Sequence, residues 1–271
     1  MNNTVGIIGL GYVGLPLLIE LRRKKFNTFG FDKDSNKIKS LRKKKSPISD
    51  VLDKDLNIFS KKNFCSSDEY YKISLCDYII FCLPTPFSNK KPDMSFICDA
   101  LKGCYNYLRE NQTIILESTV YPGATEKIFV QKLSKKFILG KNFYLCFSPE
   151  RIDPGRTKNK FKVFSQIDKL ISGYTKNCLE RVDGLYSKIF KRVHKCESIK
   201  IAEMSKLYEN SFRSVNIALA NEFKMMADKM NINIFSVLNA ASTKPFGFTR
   251  FNPGPGVGGH CIPIDPLFLK W

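Results

Sequence analysis

The chain has 271 residues, 43% apolar and 13% aromatic, and a formal charge of +19 from 44 basic against 25 acidic side chains. At roughly 100–200 residues per domain this supports one large domain or two. It excludes a disordered chain, a collagen-like repeat and a disulfide-stapled miniprotein. Apolar runs such as Val5–Leu10 and Tyr78–Leu83 fall short of the about 18 residues that a bilayer span requires. Met1-Asn2-Asn3-Thr4 lacks a basic leader and a small-residue cleavage site. A cytoplasmic, globular protein with no membrane partner is expected. The basic runs, Arg22–Lys25, Arg42–Lys45, Lys61-Lys62, Lys135-Lys136 and Lys191-Arg192, are scattered and not interleaved with aromatics. They read as solvated surface or as steering for anionic ligands, and no nucleic-acid partner is expected. The nine cysteines include no metal-like CxxC pair. In a chain without a signal most should be reduced and buried.

Thr4–Gly9 is a short buried strand that runs into Gly9-Leu10-Gly11-Tyr12-Val13-Gly14 and then the helical segment Leu15–Leu21. This is G-x-G-x-x-G between strand and helix, the context in which the motif carries meaning. One glycine makes the turn, one lets the backbone approach a pyrophosphate, and one allows the helix to pack on the strand. The helix N-terminus then receives the anion. A second strand, Asn27–Asp32, ends in a carboxylate near the spacing of about 20 residues at which such a group binds a ribose 2′-hydroxyl. That choice favours NAD over NADP, with Lys33 next door a small counterweight.

The alternation continues. Cys76–Leu83 is a buried strand stopped by Pro84-Thr85-Pro86, Phe96–Leu108 is helical by period, and Thr113–Val120 is a strand. Thr125–Leu133 is a helix, and Asn142–Phe147 a strand before Ser148-Pro149-Glu150-Arg151. Regular alternation implies a doubly wound parallel sheet of the Rossmann type, with ligands beyond the carboxyl ends of the strands. Pro84-Thr85, Ser118-Thr119 and Pro149-Glu150 follow or close three strands there. Each alone is ordinary turn chemistry; three in register favour a site. Lys169–Gly173 reads as the last strand, followed by a helix over Asn177–Lys188 and a crossing segment, Arg192–Cys196. We place the NAD-binding domain at 1–196 and a helical central domain at 197–271.

Ile201–Asn231 holds one long helical pattern, with Met204, Tyr208, Phe212, Val215, Leu219, Phe223, Met226 and Met230 at intervals of three and four. That stripe packs on a domain or a dimer partner. Lys206 and Asn210 share another face; taken alone, the pair reads first as a surface lysine beside an asparagine. The chain then passes through Pro253-Gly254-Pro255-Gly256-Val257-Gly258-Gly259-His260-Cys261-Ile262-Pro263-Ile264-Asp265-Pro266. So many glycines and prolines define a backbone path ending at a cysteine. Pro263 suits the first turn of a helix, which would set Cys261 at its N-terminus, where the dipole favours thiolate. A low-pKa thiol beside Asp265, opposite Lys206 and Asn210 and near a nicotinamide, is equipment for oxidising an aldehyde through a thioester. His260 reads as structural or substrate-shaping.

Together, Gly9-x-Gly11-Tyr12-Val13-Gly14-Leu15-Pro16, Glu117-Ser118-Thr119-Val120-Tyr121-Pro122-Gly123, Ser148-Pro149-Glu150-Arg151-x-Asp153-Pro154-Gly155, Ala202-Glu203-Met204-x-Lys206-x-x-x-Asn210 and Gly256-x-Gly258-Gly259-His260-Cys261-Ile262-Pro263-Ile264-Asp265-Pro266 resemble the UDP-glucose/GDP-mannose dehydrogenase family. The last two motifs and Pro-Glu-Arg are most similar to those of bacterial UDP-N-acetylglucosamine 6-dehydrogenases. The resemblance implies a four-electron, NAD-dependent oxidation of a sugar C6 hydroxyl to a uronate, feeding surface polysaccharide synthesis. By matching positions, Cys261 is the nucleophile, Lys206 and Asn210 stabilise the oxyanion, and Asp265 orients water or Lys206. Thr119 holds a water or the nicotinamide edge, and Glu150 assists thioester hydrolysis. Gly9, Gly11, Tyr12, Val13, Gly14, Asp32, Pro84, Thr85 and Thr119 face NAD. Arg151, Lys206, Asn210 and Gly258 touch the UDP-sugar. The resemblance also implies a homodimer, and a further nucleotide-fold domain for the UDP moiety that this sequence does not contain, possible as a separately encoded partner. Alternatives at this point are a catalytically impaired NAD-binding, dimerising fragment, and the same chemistry on UDP-N-acetylmannosamine or UDP-glucose.

Overall fold

A computed structural model describes residues 3–151, 167–259 and 262–270. Two compact units are present, Met1–Pro86 with Pro92–Met204, and Phe87–Lys91 with Ser205–Trp271. The chain order is β1 (Thr4–Ile8), α1 (Gly14–Arg23), β2 (Asn27–Asp32), α2 (Ser35–Arg42), β3 (Phe64–Ser66), β4 (Tyr78–Phe81), the two-residue strands β5 (Phe87–Ser88) and β6 (Lys91–Pro92), α3 (Ser95–Cys104), β7 (Thr113–Leu116), α4 (Ala124–Leu133), β8 (Tyr144–Phe147), β9 (Lys169–Gly173), α5 (Lys176–Tyr186), β10 (Val193–Lys195), α6 (Ile199–Lys229), α7 (Ile234–Ala241) and α8 (Asp265–Lys270).

In the first unit an eight-stranded sheet runs β10-β9-β8-β7-β4-β1-β2-β3. The strands are short, four to six residues in the centre, and carry apolar residues on both faces. Ile7, Ile80, Ile115, Cys146 and Ile171 join one core with α1, α2 and α5. Their neighbours Ile8, Phe81, Leu116, Phe147 and Leu170 join a second core with α3 and α4. Alternation with period two therefore feeds two hydrophobic layers, as a sheet covered by helices on both sides requires.

Two expectations are corrected, and two elements were not expected. The sheet is parallel throughout except at β8–β9, which pair antiparallel with Cys146 opposite Gly173. The Arg192–Cys196 segment is not only a crossing, because Val193–Lys195 adds a last strand parallel to β9. Strand β3 and helix α2, in a lysine-rich stretch with little periodicity, have no counterpart in the sequence reading. Strand and helix ends also draw in: the helix expected over Phe96–Leu108 is α3 followed by a 3-10 turn at Tyr105–Tyr107.

In the second unit, α7 begins at Asn233, whose side chain accepts from the Phe235 N–H at 2.9 Å, an N-cap of the ordinary kind. Its Ile234 and Leu238 pack on Ala227 of α6. Phe212 meets Phe251 edge-on at 5.9 Å, tying the segment before the glycine path to α6. No helix among the described residues is long and apolar enough to cross a membrane.

Candidate active site

The turn after β1 is built as the glycines require. Gly9 has φ +98°, and a Cβ there would lie 2.3 Å from the Cys82 carbonyl oxygen. A Cβ on Gly14 would lie 2.0 Å from the Gly9 carbonyl oxygen, so the helix can start only without a side chain. Gly11 differs: a Cβ there meets no protein atom within 4 Å. Packing does not ask for glycine at Gly11, and the open space there leaves room for a ligand to approach the backbone. No side chain caps the first turn of α1 at Val13, which leaves the helix terminus suited to an anion. Tyr12 beside it is exposed. At the end of β2, Asp32 is 7% exposed. It accepts from the Leu10 N–H at 2.9 Å and pairs with Lys37 at 2.7 Å. Lys33 points elsewhere, its ammonium 4.2 Å from the Phe96 ring centroid. A glycine with empty space at its Cβ, an uncapped helix and a held carboxylate fit a dinucleotide.

The carboxyl edge of the sheet continues this surface. The Leu83 N–H donates to Ser118 Oγ at 2.9 Å, and Thr85 Oγ1 donates to the Thr119 carbonyl at 2.6 Å. The segments after β4 and β7 are thus tied, and Pro84, Thr85 and Thr119 share one edge. At the end of β8, Glu150 Oε1 accepts from the Arg151 N–H at 2.7 Å, and Arg151 Nη1 donates to the Asp168 carbonyl at 2.9 Å. Arg151 is therefore anchored by backbone in its own unit. Asp153, Pro154 and Gly155 lie outside the described residues.

Helix α6 buries Ile199, Ala202, Leu207 and Ala227, but its regular apolar stripe is on an exposed face. The apolar positions Met204, Tyr208, Phe212, Val215, Leu219, Phe223, Met226 and Met230 are all exposed. Lys206 and Asn210 are buried, Asn210 completely, which removes the reading of a surface lysine beside an asparagine. Asn210 Nδ2 donates to Asp265 Oδ2, and Arg213 Nη2 donates to Asn210 Oδ1. Burial pushes the Asp265 carboxyl above its ordinary value, while Asn210, Lys206 and Arg213 pull it back. The result is a dry carboxylate among an ammonium, an amide and a guanidinium. Cys261 and His260 lie outside the described residues. Helix α8 begins at Asp265, and Pro263 sits in the turn before it. Pro263 thus precedes the first turn of α8 and is not part of it, and the expectation of Cys261 at a helix N-terminus falls outside the described residues. Along the glycine path the Gly254 N–H donates to Asn221 Oδ1 at 2.8 Å. Gly256 and Gly259 take φ +122° and +86°, and Gly258 is exposed with open space at its Cβ.

Four side chains were given no role by the sequence reading, although Glu203 stands within one of its motifs. Lys37 reaches Asp32 because Asp34 caps α2 and places Lys37 in its first turn; the Asp34 cap was the only available signal. Arg213 lies one turn beyond Asn210 and so was open to the i, i+3 rule. Glu203 accepts from the Thr125 N–H at 2.9 Å, from Thr125 Oγ1 at 2.7 Å and from the Gly123 N–H at 2.5 Å. A carboxylate from α6 thereby caps α4. Lys169, at the start of β9, is buried 3.0 Å from Glu117. Glu203 and Lys169 depend on contacts distant in sequence and left no local pattern.

A doubly wound sheet, a glycine turn into an uncapped helix and a carboxylate ending β2 define a dinucleotide-binding α/β protein of the Rossmann type. Residues 3–190 match the NAD binding domain of the UDP-glucose/GDP-mannose dehydrogenase family, and residues 200–271 match that family's central domain. The chain belongs to this family, and NAD is its cofactor. It is 39% identical over 269 residues to a UDP-N-acetyl-D-glucosamine 6-dehydrogenase of Pseudomonas aeruginosa, covering 98% of this chain and 62% of the relative. It is 35% identical over 273 residues to a UDP-N-acetyl-D-mannosamine dehydrogenase of Methanococcus aeolicus, covering 98% and 60%. The structure of a UDP-D-ManNAc dehydrogenase from Pyrococcus horikoshii superimposes with a TM-score of 0.88 at 32% identity, covering 98% of this chain and 63% of that one. The chain therefore spans somewhat under two thirds of the length of these relatives.

Proposed function

We propose that the protein oxidises the C6 hydroxyl of a UDP-N-acetylhexosamine to the carboxylate, with UDP-N-acetylglucosamine as first substrate, in surface polysaccharide precursor synthesis. The observation that carries this reading is the buried cluster of Lys206 and Asn210 on α6 with Asp265, joined by the half-buried Arg213. Three buried polar side chains are costly without a task, and a cation with amide donors is what a developing oxyanion needs. Gly9, Gly11, Tyr12, Val13, Gly14, Asp32, Pro84, Thr85 and Thr119 would hold NAD, which would supply the hydride acceptor for both oxidations. Cys261 adds to the C6 aldehyde as a thiohemiacetal and carries the sugar as a thioester after the second. Lys206 and Asn210 hold the oxygen that gains charge in both steps, and Asp265, through Asn210, fixes their orientation. Glu150 takes a proton from the water that attacks the thioester carbon; the C–S bond then breaks and Cys261 leaves as thiolate. The balance is one alcohol, two NAD⁺ and one water to one carboxylate, two NADH and three protons.

Arg151 and the open backbone at Gly258 contact the UDP-sugar in this reading. The UDP moiety is anchored by a further nucleotide-fold domain of the kind the family resemblance implies, in the same polypeptide or separately encoded. The exposed stripe of α6 is a homodimer contact, because a patch of that size is normally covered. The location is cytoplasmic. UDP-N-acetylmannosamine is the second reading, favoured by relatives that bear that substrate in their names. The test is NADH formation from UDP-N-acetylglucosamine, UDP-N-acetylmannosamine and UDP-glucose, with the chain alone and with a co-expressed C-terminal domain. Turnover on an N-acetylhexosamine supports the proposal. NAD binding without turnover in either arm defeats it and favours a non-catalytic, dimerising NAD-binding protein.

A further inference from the structure

Lys169 opens β9, and the antiparallel pairing of β9 with β8 brings this first residue to the edge where β7 and β8 end. Its ammonium lies 3.0 Å from Glu117 Oε1 and 3.9 Å from Glu150 Oε2. It also donates to the Pro149 carbonyl at 3.4 Å, and the Tyr186 and Phe190 ring centroids are each 5.4 Å away. The Tyr186 hydroxyl donates to Glu117 Oε1. Lys169 is 3% and Glu117 2% exposed, and Glu117 Oε2 has no hydrogen-bond partner among the described residues.

A structural ion pair would need one carboxylate for one buried ammonium. Here, among the described residues, the Glu117 and Glu150 carboxylates both face the Lys169 ammonium. Glu117 lies behind it, locked by Tyr186, while Glu150 lies in front at the half-buried edge. Burial presses on the ammonium, but the Glu117 and Glu150 carboxylates outweigh it and hold Lys169 charged. Its two aromatic neighbours add to this hold on a desolvated cation.

We propose that Lys169, clamped by Glu117 and Tyr186, is a positioning residue that fixes the Glu150 carboxylate at the sheet edge for thioester hydrolysis. This rests on the reading of Glu150 as the group that activates water. Lys169 gives up no proton. It holds the carboxylate while Glu150 accepts the proton of the attacking water, and that proton later passes to solvent.

A double-mutant cycle on the full chain, with Lys169→Met, Glu150→Gln and both together, tests the contact by urea unfolding. The Lys169→Met loss in urea midpoint should be smaller in the Glu150→Gln background. Should Lys169→Met fail to fold, the Lys169 side-chain ¹⁵N resonance, assigned as the signal lost in Lys169→Arg, gives the same answer. It should shift in Glu150→Gln, a substitution at the half-buried edge. In turnover, Lys169→Met should release the first NADH normally and accumulate sugar on Cys261, with hydrolysis slowed on the order of 10²-fold, the low end for a displaced general base. Equal slowing of both halves, or additive losses with an unmoved lysine resonance, overturns the proposal. Absence of turnover in the parent chain counts against the oxidation reading, and the cycle and the resonance still decide whether Lys169 holds Glu150.

Discussion

Three substitutions of one kind in one turn should give two opposite outcomes. In Gly14→Ala the new Cβ would stand 2.0 Å from the Gly9 carbonyl oxygen, and in Gly9→Ala 2.3 Å from the Cys82 carbonyl oxygen with φ at +98°. Both obstacles are backbone, so neither can rotate aside. Overpacking against a rigid partner costs about 1–3 kcal/mol, and a side chain in the left-handed region adds about 1–2 kcal/mol at Gly9. A loss near 3 kcal/mol, read with a urea slope of about 1–3 kcal/mol per molar, moves the midpoint down by about 1 M or more. Gly11→Ala meets nothing within 4 Å. Its midpoint should hold or rise slightly, since Gly→Ala at a compatible position stabilises by about 0.4–1 kcal/mol. Calorimetric titration with NAD should then show at least a tenfold weaker Kd, about 1.4 kcal/mol, because the methyl group occupies the approach of the pyrophosphate. Gly11→Ala binding NAD like the parent, or Gly14→Ala unfolding at the parent's midpoint, would refute the reasoning.

Glu203→Ala leaves the Gly123 and Thr125 N–H groups without their acceptor at the buried start of α4. At about 1–3 kcal/mol for each stranded group, urea unfolding should show a loss of roughly 3 kcal/mol, and a loss below about 1 kcal/mol contradicts the cap. Asp265 has its carboxyl raised above 3.8 by burial, so its contribution to stability is complete below that value and is lost as pH rises through the folded pKa. Asp265→Asn should therefore gain stability relative to the parent between about pH 4 and pH 7, and a relative loss over that range refutes the burial argument. Leu219→Glu and Val215→Glu, on the exposed face of α6, should shift sedimentation from dimer to monomer with the parent's circular dichroism retained. A parent that is monomeric at micromolar concentration would remove the dimer reading.

The sheet core was legible because its strands are short apolar runs separated by helices with a clear period, and the glycine motif fixed which end carries the ligand. Ends were less legible: the ladder stops at Leu116, where Glu117-Ser118 ends the apolar run, although the β-branched Thr119-Val120 beyond it resumes a strand-like composition. The reversal of β9 was invisible: Lys169–Gly173 has the same composition whichever way it runs. That reversal also explains why Lys169 was passed over, because only an antiparallel β9 brings it to the edge with Glu117 and Glu150. In α6 the apolar period was plain, yet it marks the outward face. The buried face was signalled by the unusual pairing of a lysine and an asparagine one turn apart, not by hydrophobicity. Arg213 and Glu203 extend that polar side at the same helical spacing. Asp265 and the glycine path before it were legible as a backbone device, whereas the start of α8 was misplaced because Pro263 suits the turn before a helix as readily as its first turn.

The central claim is a double oxidation on one enzyme-bound sugar. Its most direct test is to measure NADH and uronate together, by absorbance and mass spectrometry, as the protein and its co-expressed C-terminal domain consume UDP-N-acetylglucosamine or UDP-N-acetylmannosamine. Two NADH should form for each uronate, and Cys261→Ser should form no uronate. One NADH per sugar with the aldehyde as end product, or uronate formed by Cys261→Ser at the parent rate, would contradict the central claim.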